Sequence, residues 1–126
     1  MNRTIIAVVV TAFLLVACGT DSTPESTVEK YIQAVNEKDT TQLSTLTCKN
    51  WEADALMMLD AFQAVSTELE GLSCENTGTT ADDLAVVSCT GKIIASYEGE
   101  LQEFDLSLQN YLVENSNGEW LVCGMQ

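Results

Sequence analysis

Leu84-Ala85-Val86-Val87-Ser88-Cys89-Thr90-Gly91-Lys92-Ile93-Ile94-Ala95-Ser96-Tyr97 alternates between two faces from end to end. Val87, Cys89, Gly91, Ile93, Ala95 and Tyr97 fall on one side, and Val86, Ser88, Thr90, Lys92, Ile94 and Ser96 on the other. A period of two over so many residues specifies a strand, because successive side chains of extended backbone point to opposite faces. A strand this long must bend, and Gly91 in its middle is where a bend or bulge is expected.

Weaker strands flank it. Glu68 to Thr77 precedes it, with a turn centred near Ala81 and Asp82. Glu98-Gly99-Glu100 is a turn signal on the other side, after which Phe104, Leu106 and Leu108 resume the alternation. The apolar phase then moves to Tyr111 and Val113, a slip of one residue that a bulge near Gln109 or Asn110 produces. Asn115-Ser116-Asn117-Gly118 signals a final hairpin, closed by Trp120-Leu121-Val122-Cys123. Four antiparallel strands in a meander are therefore expected.

Ahead of the sheet the period is helical. Val28, Tyr31, Ile32 and Val35 form the stripe of a helix with one buried face; Thr23 caps it, Pro24 suits its first turn and Glu25 its positive end. Asn36-Glu37-Lys38-Asp39 ends it, and Asp39 with Gln42 reads as a capping box for a short helix running to about Thr47. From Trp51 to Val65 the apolar residues are dense enough for a third helix, with Asn50 placed to cap it and Ala55, Met58, Leu59 and Phe62 on one face. The methionines suit core packing better than a ligand-binding stripe. The fold class is thus α+β, three helices packed on a bent four-stranded antiparallel sheet.

The first residues address the chain. Arg3 is a short positive region, and Ile5 to Ala17 run uncharged up to Leu15-Val16-Ala17-Cys18. This apolar run is too short for a span of roughly 20 residues and has the small residues a signal peptidase accepts. Leu15, Val16, Ala17 and Cys18 resemble the lipobox of bacterial lipoproteins, in which the cysteine thiol is acylated and becomes the new N-terminus. The resemblance implies a signal peptide of residues 1–17 and a lipidated tether of residues 18–23. A single α+β domain over 24–126 follows, anchored on the extracytoplasmic side of a bacterial membrane. Each buried methylene adds about 0.8 kcal/mol of membrane affinity, so two or three acyl chains hold a small domain firmly.

Composition narrows the partners. The chain carries a net charge of −14, and removing Arg3 with the signal makes it one unit more negative, with Lys30, Lys38, Lys49 and Lys92 as the remaining cations. Such a domain repels nucleic acid and anionic head groups, so the membrane is reached through the lipid only. Solubility is the ordinary account of such a charge, and a basic protein partner or a salty medium the sharper one. The acids are scattered, and no Asp-rich calcium loop appears. Four cysteines follow Cys18, and the absence of histidine and of any C-x-x-C spacing points to disulfides rather than zinc. Three pairings are possible on paper. Cys74 and Cys89 lie about equally far from the turn near Ala81, so they are expected to pair, which leaves Cys48 for Cys123.

The opening Thr23-Pro24-Glu25 into Val28, Tyr31, Ile32 and Ala34, Lys38-Asp39 with Leu43 and Leu46, and the closing Asn117-Gly118-Glu119-Trp120 resemble the nuclear-transport-factor-2-like (cystatin-like) fold. The sequence is similar to small bacterial lipoprotein domains of that architecture. Enzymes of the superfamily, ketosteroid-isomerase relatives among them, transfer protons in a cone with Asp, His or Tyr. The resemblance implies no catalytic residue here, since a base working near neutral pH is most readily histidine and the chain has none. Asp105 near Tyr111 or Tyr97 is the nearest carboxylate candidate, with Asp60 and Glu70 behind it, although alternation places Asp105 on the outer face. No G-x-S-x-G, phosphate loop or Ser, His and Asp set is present, and no cofactor is implied. Trp51 and Trp120 suit packing better than stacking on a sugar or base. A non-enzymatic binding or interaction module is therefore expected first, with a small apolar ligand as the other expected partner, held in the cone that the resemblance implies. A carboxylate-based isomerase or hydrolase, and an acidic accessory protein docking on a basic partner, are the alternatives.

Overall fold

The computed structural model describes residues 22–126. The expected signal segment, the lipidation site Cys18 and most of the tether lie outside the described residues. Helix α1 spans Pro24–Glu37 and opens on a full capping box: the Ser26 amide donates to Thr23 Oγ1 at 3.1 Å, and the Thr23 amide donates to Ser26 Oγ at 3.1 Å. It closes on Lys38, held in the left-handed region at φ 59°. Helix α2, Thr40–Thr45, starts where the Gln42 amide donates to Asp39 Oδ1 at 3.0 Å.

Helix α3 is shorter than its apolar run. It spans Glu52–Asp60 rather than reaching Val65, and its N-cap is Trp51, without a side-chain cap, rather than Asn50. Asp60 puts a negative charge at the negative end of the dipole. Beyond it Phe62 leaves the helix to meet the edge of Phe104, with ring centroids 5.2 Å apart. A tertiary contact thus overrides a helical pattern that no Gly or Pro interrupts.

The sheet corrects the expectation of four strands. Five strands are present among the described residues: β1 Ser66–Thr79, β2 Ala85–Tyr97, β3 Glu100–Asp105, β4 Asn110–Ser116 and β5 Glu119–Met125, all antiparallel. The class stays α+β. What was expected to be one strand with a bulge is two, β3 and β4, separated by a 3-10 turn at Leu106–Leu108. Asp105 makes the break: its Oδ1 accepts from the Ser107 amide at 2.9 Å and from Ser107 Oγ at 2.7 Å, a cap that turns the chain out of the ladder. β2 spans both pieces. Its first half, Ala85–Ser88, pairs with β4, and its second half, Lys92–Tyr97, pairs with β3. The order is β1-β2-β4-β5, with β3 beside the far half of β2.

Two tight hairpins set the register. Glu98 and Gly99, then Asn117 and Gly118, all have positive φ, as two-residue turns between right-twisted strands require. Opposite Gly91 the β1–β2 register shifts, two residues of β1, Gly71 and Leu72, standing against one of β2. The expected irregularity is there, with the extra residue on the neighbouring strand. Val28, Tyr31, Ile32 and Val35 of α1 pack on Val87, Cys89 and Ile93 of β2 and on Val113 and Val122, all buried. No helix of the described residues is long and apolar enough to cross a membrane.

Candidate functional site

Between the helices and the sheet lies a cavity of about 430 Å³. Tyr31, Ile32 and Val35 line it from α1, Met58 and Phe62 from α3 and its exit. Ile93, Phe104 and Tyr111 line it from the sheet, and Leu106 and Leu108 from the 3-10 turn. The break after Asp105 builds this wall, because it swings Leu106 inward to a buried position and leaves Leu108 exposed at the rim. Met58 therefore faces the cavity rather than solid core, whereas Met57 is exposed.

Two phenols supply the buried polarity, and Glu103, Asp105 and Gln109, all exposed, add polar groups to the lining. Tyr31 and Tyr111 meet edge to face at 5.9 Å, and Trp51 Nε1 donates to the Tyr31 hydroxyl at 3.3 Å. Trp51 is thus a positioning and packing residue, and Trp120 packs against the core cluster. The Tyr111 hydroxyl makes no hydrogen bond within the described residues, yet it is not sealed off like Asn36 Oδ1, so it opens on the cavity that its ring lines. Burial, with Tyr31 nearby, pushes the Tyr111 phenol up to about 12; burial also raises Tyr31, although the Trp51 hydrogen bond works against it. Both phenols are neutral donors at physiological pH.

That shift has a measurable sign. The unfolded phenol loses its proton near pH 10.0, whereas the folded one keeps it to about 12, so folding stability is intact below 10.0 and falls as pH rises through that window. Alkaline titration followed by tyrosinate absorbance is expected to show a late-ionising phenol and a parallel loss of stability. Tyr111→Phe removes much of both, and a variant with the wild-type alkaline profile would show that Tyr111 is not the late group.

Of the carboxylates named from the sequence, Asp105 lines the cavity, together with Glu103, whereas Asp60 and Glu70 do not. Asp60, Glu70 and Asp105 are all exposed. Asp105 is engaged in capping, and its hydrogen bonds to Ser107 hold its carboxyl below the usual range. No Asp or Glu is buried among the described residues. Tyr97, at the end of β2, pairs with Glu100 and is not part of the lining.

Two disulfides join Cys74 to Cys89 and Cys48 to Cys123, with Cα atoms 4.1 Å and 4.9 Å apart. The first links residues directly opposite in the β1–β2 register; the second ties the α2–α3 connection to β5. Glu114 places Oε2 3.4 Å from both Cys48 Sγ and Cys123 Sγ, the one grouping of three metal-ligand side chains among the described residues. Its sulfurs are bonded to each other, and it is thiolate, not disulfide sulfur, that holds a metal. No protein-family model matches the sequence, and no curated protein matches it.

Proposed function

We propose that the chain is a lipid-anchored extracytoplasmic binding protein that holds a small, uncharged, mainly apolar ligand in the cavity between its helices and sheet. The observation that carries this function is an apolar chamber of about 430 Å³ with one phenol free to donate, Tyr111. Cavities of roughly 300–1,000 Å³ with few placed polar groups suit small-molecule ligands. With two neutral donors inside and an acidic surface outside, a ligand offering an acceptor oxygen is favoured over a carboxylate anion. Proton-transfer chemistry finds no support, because Asp105, the candidate acid that lines the cavity, is exposed and committed to the Ser107 cap, and Asp60 and Glu70 lie away from it. The lipobox-like Leu15 to Cys18 supports the anchor and the address, with lipid on Cys18 and export to an oxidising space that suits the two disulfides.

The test uses protein isolated from the envelope. Native mass spectrometry is expected to show a lipid-modified Cys18 and a second, dissociable small molecule. The uncharged dye Nile red should bind with increased fluorescence and compete with that molecule. Met58→Trp fills the chamber and is expected to abolish dye binding, while Tyr111→Phe weakens the natural ligand about tenfold, the worth of one hydrogen bond. Dye binding that ignores Met58→Trp would place the ligand elsewhere.

A further inference from the structure

Because β5 runs beside β4 only, and the 3-10 turn separates β4 from β3, the outer edge of β3 is left without a neighbour. Backbone hydrogen bonds outside the strand ladders involve none of Glu100–Asp105 among the described residues. Half of the β3 amide and carbonyl groups point along that edge, as in any strand paired on one side. The two other edges are partly occupied: on β5 the Val122 amide and carbonyl bond Leu46 and Cys48, and on β1 a side chain of α1 intrudes. The Cys74 amide of β1 donates to Glu29 Oε1 of α1 at 3.1 Å, and the Gly71–Leu72 bulge interrupts that strand.

The side chains at the β3 edge are unusual for this surface. Of the four large hydrophobic residues that are exposed among the described residues, three lie here or in the adjoining turn: Leu101 (70%), Phe104 (38%) and Leu108 (78%). Glu100, Glu103 and Asp105 share the strand. Beside it, on the outer face of the sheet, a cleft is lined by Glu70, Glu103 and Asp105 with Lys92, whose ammonium is already committed to Glu103 at 2.8 Å.

We infer that β3 docks an extended partner segment as a sixth strand, and that the segment alternates basic with apolar residues. The free amide and carbonyl row supplies the pairing and Phe104 the apolar contact on one face, while on the other Glu103 and Asp105 supply the charge complementarity and Leu101 a seat for the aliphatic stems of the basic residues. A second copy of the chain fits poorly. In the antiparallel register that uses all six β3 residues, Glu100 of each copy would stand opposite Asp105 of the other, and both copies carry the same strong negative charge. Glu103, Phe104 and Asp105 of β3 also line the ligand chamber, whereas Glu100 and Leu101 do not, so Nile red binding that persists with the peptide bound keeps this test apart from that of the cavity.

The probe is a capped peptide alternating lysine and valine over six residues, titrated into the oxidised, isotope-labelled protein, with a glutamate-for-lysine peptide as the control. Backbone amide shifts and hydrogen-exchange protection confined to Glu100–Asp105 are expected for the lysine peptide alone. The affinity should fall about tenfold as salt is raised to several tenths molar. Glu100→Lys is expected to weaken binding about fivefold, and Leu101→Ser similarly, with the melting temperature of each variant reporting that the fold is kept. Absence of binding, shifts on β1 instead, equal binding of the glutamate peptide, or association of the protein with itself at this edge would each overturn the inference.

Discussion

Replacing Cys48 and Cys123 together with alanine is expected to remove about 4 kcal/mol from the unfolding free energy, a large share of the roughly 5–15 kcal/mol that a domain of this kind has in all. The bond closes a loop between residues 75 apart in sequence, so in the unfolded chain it restrains nearly the whole sheet. Around it the Cys48 amide donates to the Val122 carbonyl at 2.9 Å, and the Val122 amide donates to the Leu46 carbonyl at 2.8 Å. These bonds join the helical half to β5 at the point where no hairpin does so. Without the crosslink they must be made at the full entropic cost of bringing the ends together. Cys74 and Cys89 are only 15 apart and already face each other across a hairpin, so Cys74→Ala with Cys89→Ala is expected to cost less, about 3 kcal/mol. Urea denaturation of the two double variants beside the parent measures the order. A Cys74 and Cys89 variant that is the less stable of the two would mean that local strain or packing, rather than loop length, governs both bonds.

Legibility followed the range of the interaction. The α1 stripe of Val28, Tyr31, Ile32 and Val35 and the β2 alternation are local periodicities, and both elements stand within a residue of where the sequence puts them. The break between β3 and β4 was written in the sequence too, but in a weaker hand. Phe104, Leu106 and Leu108 keep strand phase, while Asp105 with Ser107 two residues later is an Asx-type cap for a turn; the cap prevails, and Leu106 packs inward from the turn rather than from a strand. The same pair of residues explains why Asp105 was a poor candidate base: its carboxylate has a structural use two positions away. The cavity was not legible at all. Its walls come from α1, α3, all of the strands but β1, and the turn, and it exists because α3 stops at Asp60 and Phe62 folds back onto Phe104, a contact between residues far apart in sequence.

Gly91→Ala is expected to destabilise the fold by about 3 kcal/mol, the range of substitutions that force both backbone strain and overpacking. Gly91 has φ 106°, which side-chain-bearing residues avoid, and a Cβ there would lie 2.6 Å from the Glu70 carbonyl oxygen and 2.7 Å from the carbonyl carbon and oxygen of Gly71. All three are backbone atoms of β1 and cannot swing aside. Relief requires separating β1 from β2 at the bulge, between the pairs Glu70–Lys92 and Ser73–Thr90. At the same level β2 changes its other neighbour from β4, last paired at Ser88, to β3, first paired at Lys92. A displacement there disturbs three strands and the disulfide pair Cys74–Cys89 next to it. Gly71→Ala separates the two causes: its φ is 65°, but its Cβ would meet only the Gly91 Cα at 3.8 Å, so strain alone should cost about 1 kcal/mol. Gly78→Ala, with nothing within 4 Å and no positive φ, is expected to leave stability nearly unchanged. Urea midpoints for the three variants test the ranking, and hydrogen exchange locates the damage. If Gly91→Ala melts no earlier than Gly78→Ala, then β1 and β2 do not approach as closely at the bulge as these distances require.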